Sequence, residues 1–233
     1  MNRAENQTLS ACSGDSGGAL AEPNGYSVAS YERCAADYAR ATKPGTSEVE
    51  RQALGNFLRV ARNQGWILEI GSGPGWDADW LDHAGLNVRR TDAADAFVAF
   101  QKARGAKAEV LDVVKDELGG PYAGVVALHV FQHIYRSELP HVMTKVSHAI
   151  ADRGAFLFSL REGSGDLVEK GESSGNYYTA MWQRADLVAI LEPLGFREVW
   201  SSSVEDPDGR WLTILATKDG ANEKERLAAA QLP

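Results

Sequence analysis

The feature that most constrains this 233-residue chain is the stretch 67–76, ILEIGSGPGW, an apolar run that ends abruptly in alternating glycines. A strand that breaks into glycines and re-enters a helix is a sharp turn, and in an open α/β sheet the first such turn makes the closest approach to a ligand. The rest of the chain fits that frame. Short apolar runs, WILEI, NVRRTD, AEVLD, YAGVVALH and GAFLFSL, alternate with amphipathic stretches at 76–84, 95–104 and 137–150. This is the pattern of a parallel sheet with helices on both faces. In the last stretch Leu139, Val142, Met143, Val146 and Ile150 share a face, which leaves His141 and His148 to solvent. Two later runs, FREVWSSSV and RWLTILATK, are joined by a tight turn at EDPDG and predict an antiparallel pair. The expected fold class is α/β: a doubly wound, Rossmann-like seven-stranded sheet, mostly parallel with an antiparallel last strand, helices on both faces.

Residues 1–25, rich in Ser, Gly, Asn and Ala without periodicity, read as a flexible leader, and 219–233 as a tail. Between them, 26–218 form one expected domain. Its first part, 26–65, holds two helices, one with Tyr31, Cys34, Ala35 and Tyr38 on a face. The second opens on a Ser47/Glu50 capping box and carries a stripe of Val49, Ala53, Phe57 and Val60. The segment 161–182 is polar, glycine-rich and long for a simple connection, so it is a candidate substrate lid.

Composition narrows the partners. A formal charge of -8 opposes a polyphosphate backbone, and no basic patch is visible, so nucleic acid is not an expected partner. The two cysteines, Cys12 and Cys34, belong to no metal-ligand spacing, so no metal is expected. With no secretory h-region and no apolar run of spanning length, the simplest address is the cytoplasm, away from any membrane.

The loop itself excludes two tenants. A triphosphate loop needs Gly-Lys-Ser/Thr at its end, and a dinucleotide fingerprint needs a third glycine where this chain has Trp76. Trp76 and Trp80, at i and i+4, read as packing residues, with Trp76 near enough to brush a ligand. Asp92 closes the second run at the distance where a carboxylate grips a ribose diol, and Asp112 closes the third. A carboxylate there repels a ribose phosphate. The expected ligand is a nucleoside without phosphates.

These motifs resemble those of the class I S-adenosylmethionine-dependent methyltransferases, particularly the small bacterial ones that modify small molecules, over 26–218. ILEIGSGPG is similar to the family's first motif, VRRTDAADAF to the second, AEVLDV to the third and VVALHVFQHI to the fourth; LEPLGF and WLTILATK are similar to its end. One departure is Ala123 after Tyr122, where the family usually has an acid. The resemblance implies S-adenosyl-L-methionine as cofactor, held by Gly71, Ser72, Gly73, Pro74 and Gly75, with Asp92 and Ala93 at the ribose and Asp112 and Val113 at the adenine. Leu128, His129 and His133 follow the fourth strand beside it, Tyr31 and Tyr38 close over its methionine end, and Glu69 holds loop amides.

The acceptor is then an O, N, S or C nucleophile of a small molecule, in natural-product tailoring by analogy. His129 or His133 is the first candidate for a base and Tyr177 or Tyr178 the second; His133 alternatively caps or orders the turn. Arg161, Tyr178 and Trp182 are candidate substrate contacts, Arg161 through its planar fork on a carboxylate. The competing functions are methylation of a modified tRNA or RNA base and non-catalytic S-adenosylmethionine binding in a partner protein. The oligomeric expectation is a monomer or homodimer.

Overall fold

The period-2 alternation of the apolar runs decides the layers. The computed structural model describes residues 7–8, 23–42, 47–61, 65–171, 175–207 and 209–220. In chain order its elements are β1 (Gln7–Thr8), α1 (Pro23–Ala41), α2 (Glu48–Ala61), β2 (Trp66–Ile70), α3 (Trp76–His83), β3 (Asn87–Asp92), α4 (Asp95–Ala103) and β4 (Ala108–Val110). They continue with β5 (Tyr122–Ala127), α5 (Leu139–Ala149), β6 (Ile150–Arg161), β7 (Asp166–Gly171), β8 (Gly175–Ala180), α6 (Arg184–Leu191), β9 (Phe196–Asp206) and β10 (Gly209–Lys218).

Seven strands form one sheet in the order β4-β3-β2-β5-β6-β10-β9. The first five are mutually parallel, and β10 is antiparallel to both β6 and β9. The chain enters at the centre, winds outward to β4, then returns to β5 and winds the other way. That reversal puts the topological switch between β2 and β5, where open α/β sheets bind ligands.

Alternate residues feed the two faces. Leu68, Ile70, Val125, Ala127, Phe156 and Phe158 pack with Leu139, Val142, Met143 and Val146 of α5. Their neighbours Ile67, Val126 and Leu157 face the other way, onto Leu54 and Phe57 of α2 and Ala78 and Leu81 of α3. The stripe expected on α5 is fully buried, with His141 and His148 exposed. The stripe expected on α2 is rotated: Val49 is 39% exposed, and the buried set is Ala53, Leu54, Phe57 and Ala61. The cause is a close approach at Gly124 of β5, where a Cβ would lie 2.6 Å from the Phe57 ring. The helix rolls so that Phe57 takes this shallow seat, with Leu54 fully buried in the same core cluster.

The capping box at the start of α2 forms in both directions: the Ser47 N–H donates to Glu50 Oε2 (2.7 Å) and the Glu50 N–H to Ser47 Oγ (3.2 Å). The segment 161–182, expected as an irregular loop, contains the antiparallel pair β7–β8, with Asp166 opposite Ala180 and Glu169 opposite Tyr177. Cross-strand pairing outweighed its polar, glycine-rich composition. Within the stretch read as a leader, Gln7 and Thr8 pair with Val168 and Leu167 of β7; residues 1–6 and 9–22, and the tail from 221 on, lie outside the described residues.

Candidate active site

At the switch point the glycine loop crosses to the turn after β5. Gly71, Gly73 and Gly75 have φ of +66°, +52° and +85°, the left-handed region that only glycine enters freely. A Cβ on Gly71 would lie 2.4 Å from Val130 Cγ2, so this glycine is also required for the approach of the two turns. Behind them lies a cavity of about 370 Å³, within the range of small-molecule sites. A Cβ on Gly73 would meet nothing within 4 Å: the loop backbone there faces open space.

One wall is polar and local. Asp92, buried to 7% exposure, accepts the Gly73 N–H on Oδ2 (2.8 Å) and the Ala94 N–H on Oδ1 (2.8 Å). Burial outweighs these hydrogen bonds and pushes the carboxyl up to about 6. Asp112 accepts the Val114 N–H on Oδ1 at 2.9 Å. Ser72, Pro74, Ala93, Val113 and Leu128 complete this side, together with Trp76, whose indole N–H donates to Thr42 Oγ1 at 3.1 Å.

The opposite wall is aromatic and assembled from distant segments. Tyr31 and Tyr38 of α1 meet edge to face at 5.7 Å, both contacting Phe97, and Tyr177 stacks obliquely on Tyr31 at 4.9 Å. His133 donates Nδ1–H to the Tyr178 carbonyl (2.8 Å), because a carbonyl can only accept, and its Nε2 accepts from the Tyr31 hydroxyl (3.1 Å). Burial lowers the His133 pKa, keeping the ring neutral, and burial with neighbouring Tyr38 and Tyr177 raises that of Tyr31. His129 adopts φ +59°, uncommon for a non-glycine, and its Nε2 lies 2.8 Å from Glu50 Oε1. Burial alone would raise the Glu50 carboxyl, but the hydrogen bond and charge of His129, helped by Ser47, hold it at about 2.

The cavity therefore brings together Tyr31, Tyr38, Gly71 to Pro74, Asp92, Ala93, Asp112, Val113, Leu128, His129 and His133. Several expected site residues are elsewhere. Gly75 is not a lining residue, and its missing Cβ instead makes room for Gln101 Oε1 (2.6 Å). Glu69 is buried off the cavity with Oε2 unpartnered, and burial, then the charge of Asp77, raises its pKa above the ordinary carboxylate value. Tyr177 is not a lining residue; it packs on Tyr31, its hydroxyl 3.3 Å from Cys34 Sγ. Tyr178 is buried and donates its hydroxyl to Asp166 at 2.8 Å. Arg161, expected to hold a substrate carboxylate, is 7% exposed and bound to Glu169 (2.7 Å) beneath the β7–β8 hairpin. Trp182 is buried under the Arg136 guanidinium. Pairing that an irregular-loop reading omits orients each of them: Tyr178 sits in β8 opposite Val168, Arg161 ends β6 opposite Trp211 of β10, and Trp182 bridges Glu162.

No family sequence model and no curated protein matches this chain. Solved structures do. The chain is similar to 1,6-didemethyltoxoflavin-N1-methyltransferase of Burkholderia thailandensis, solved with 1,6-didemethyltoxoflavin and S-adenosylhomocysteine, at 17% identity and TM-score 0.62 over 93% of this chain and 100% of that one. It is also similar to magnesium protoporphyrin IX methyltransferase of Synechocystis PCC 6803 with bound S-adenosylmethionine, at 15% identity and TM-score 0.66 over 87% and 100%. A third similar structure is the DhpI complex with S-adenosylhomocysteine, at 19% identity and TM-score 0.62 over 85% and 97%.

The fold is that of a class I S-adenosylmethionine-dependent methyltransferase.

In this methyltransferase fold the cavity's donor set fits a phosphate-free nucleoside. Its lining holds Glu50, Asp77, Asp92 and Asp112, and among the described lining residues there is no lysine or arginine. Sequence reasoning missed Glu50, Thr42, Asp77 and Phe97 as cavity residues, and Gln101 behind the loop. Gln101 is fully buried and donates Nε2–H to Ser72 Oγ (2.7 Å) and the Gly73 carbonyl (2.9 Å). The one available signal was Glu50 in its capping box, where a helix-end role accounted for it fully.

Proposed function

We propose that this chain transfers a methyl group from S-adenosyl-L-methionine to an O, N, S or C nucleophile of a small molecule. The observation that carries this reading is the convergence, at the switch point, of the open glycine loop with Asp92 and Asp112 on the adjacent strand ends. Residues 71–74 offer backbone to the cofactor, Asp92 accepts from the ribose diol, and Asp112 with Val113 borders the adenine. Tyr31 and Tyr38, packed with Phe97, cover the other end and exclude water. The bound cofactor supplies an electrophilic methyl on a sulfonium, so the protein's task is alignment and handling of the acceptor's proton.

His129 is the preferred base. Both nitrogens of His133 are engaged by Tyr178 and Tyr31, which suits a residue that orders the wall, whereas His129 has one nitrogen on Glu50. Small-molecule acceptors are supported by the names of two structural neighbours, the toxoflavin and magnesium protoporphyrin enzymes. A cytoplasmic tailoring enzyme, monomeric or homodimeric, extends this reading by resemblance alone. Isothermal titration tests the donor: S-adenosylmethionine and S-adenosylhomocysteine should bind and NAD(H) should not, and tight NAD(H) binding without the former two would overturn the proposal.

A further inference from the structure

Glu50 does two things at once. Its Oε2 accepts the Ser47 N–H and closes the α2 cap, and its Oε1 lies 2.8 Å from His129 Nε2, 79 positions along the chain. Both residues line the cavity, with side chains 25% and 35% exposed. The carboxylate is ionised at neutral pH, having been held at about 2. An ionised carboxylate has no proton to give, so the proton of this hydrogen bond sits on Nε2.

The imidazole is fixed by more than Glu50. Its backbone is in the left-handed region, where a non-glycine residue persists only when its surroundings impose it, and its N–H is tied to Ser159 Oγ at 2.9 Å. Its ring meets that of Trp211 edge to face at 4.4 Å. The charged or titratable groups around it are Glu50 of α2, His133 of its own turn, and Arg161 of β6, which contacts the Trp211 ring at 4.6 Å.

We infer that Glu50 is a positioning residue for the base of the methyl-transfer reaction: it locks His129 as the Nε2–H tautomer and leaves the Nδ1 lone pair to take the acceptor's proton. This rests on the methyltransferase reading above. The proton leaves the O–H or N–H of the acceptor and forms the Nδ1–H bond, and the imidazolium so produced is balanced by the Glu50 carboxylate. His133, with Nδ1–H on Tyr178 and Nε2 accepting from Tyr31, is held as the opposite tautomer. Two histidines four positions apart are thereby assigned different work. Because the same carboxylate caps α2, the base is also coupled to the helix end that carries Ser47 to the cavity.

The experiment is a long-range proton–nitrogen correlation spectrum of ¹⁵N-histidine-labelled protein, assigned with His129→Gln and His133→Gln and titrated from pH 5 to 9. The parent should show His129 protonated at Nε2 and His133 at Nδ1. In Glu50→Gln, His129 should lose its single tautomer, because an amide can either accept from Nε2–H or donate to a bare Nε2. Ser47→Ala weakens the cap and removes the Ser47 side-chain hydrogen bond to Glu50 but keeps the Ser47 N–H on Oε2 and the carboxylate on His129, so the His129 tautomer should be unchanged. A parent His129 protonated at Nδ1, an unchanged spectrum in Glu50→Gln, or an equal change in Ser47→Ala would each overturn the inference. S-adenosylhomocysteine titrated into the same samples separates the two levels: no binding to the parent sinks the methyltransferase reading, whereas binding with the wrong tautomer sinks only the role of Glu50.

Discussion

The two walls of the cavity are held together differently. The wall made by β2, β3 and β4 uses backbone and near neighbours: the Gly73 and Ala94 amides on Asp92, and the Val114 amide on Asp112. The wall made by α1, the turn after β5 and the β7–β8 hairpin uses side chains brought from far apart. Tyr31 reaches His133 across 102 positions, and Ser27 meets the Tyr178 amide across 151. A wall built on backbone binds one fixed ligand whatever side chains drift nearby; a wall built on side chains can be re-aimed by a few substitutions. Under the proposed methyl transfer, the first wall would take the donor and the second would be shaped to the acceptor.

The largest change is expected at Arg161. If it belongs to the framework, Arg161→Ala leaves Glu169 partly buried without its cation and Trp211 without its guanidinium neighbour. The expected loss of stability is about 3–5 kcal/mol, read as a fall in the denaturation midpoint. Unchanged stability with selective loss of acceptor binding would return Arg161 to the substrate. Next in size is Asp92→Ala. Removal of a buried acceptor should weaken S-adenosylmethionine binding by roughly tenfold to a hundredfold, about 1.5–3 kcal/mol, in a titration at neutral pH. Unaltered affinity would move the ribose away from Asp92.

What could be read from the sequence follows the same division. The seven strands, their order along the chain and the glycine loop were legible because they depend on short apolar runs alternating with amphipathic stretches and on spacings of about twenty residues. Ser47 and Glu50 were legible as a cap, yet the second partner of Glu50 was not, because no local pattern points from a helix N-terminus to a histidine after β5. The orientation of Arg161, Tyr178 and Trp182 was lost for a related reason. Polar strands resemble a loop in composition, and the face each residue takes depends on a pairing register that composition does not encode: Tyr178 in the β7–β8 hairpin, Arg161 against β10, Trp182 in a bridge to Glu162. The roll of α2 was hidden in the same way, since the seat for Phe57 is a glycine on another element.

Asp92 also makes the backbone-built wall sensitive to pH. Its carboxyl, ordinarily near 3.8, is raised to about 6 by burial. For the free protein the sign is that of a raised acid: the neutral form is favoured in the fold, so its contribution to stability is complete below about 3.8 and is lost as pH rises through about 6. Ligand binding runs the other way. A ribose diol donates to the ionised carboxylate, so affinity for S-adenosylhomocysteine should fall by about tenfold from pH 7 to pH 5. Asp92→Asn should abolish that slope. An equal slope in the variant would assign the titration to another group on the wall.

The smallest expected effect tests whether the backbone-built wall depends on anything beyond itself. Gln101 touches no open part of the cavity, yet its amide holds Ser72 Oγ and the Gly73 carbonyl, and Gly75 lacks a side chain where its Oε1 sits. Gln101→Leu keeps the bulk and removes both donors, which leaves two polar loop atoms without partners. Each neutral hydrogen bond is worth about 0.5–1.5 kcal/mol, and part of this loss is recovered because bound cofactor re-orders the loop. The expected outcome is about fivefold weaker S-adenosylhomocysteine binding, near 1 kcal/mol, and greater hydrogen exchange confined to residues 71–75. If affinity were unchanged, Asp92 and the glycine geometry alone would suffice to shape the loop. If exchange rose across α4 and β4 as well, Gln101 would be a core residue of the sheet's outer half instead of a support for the loop.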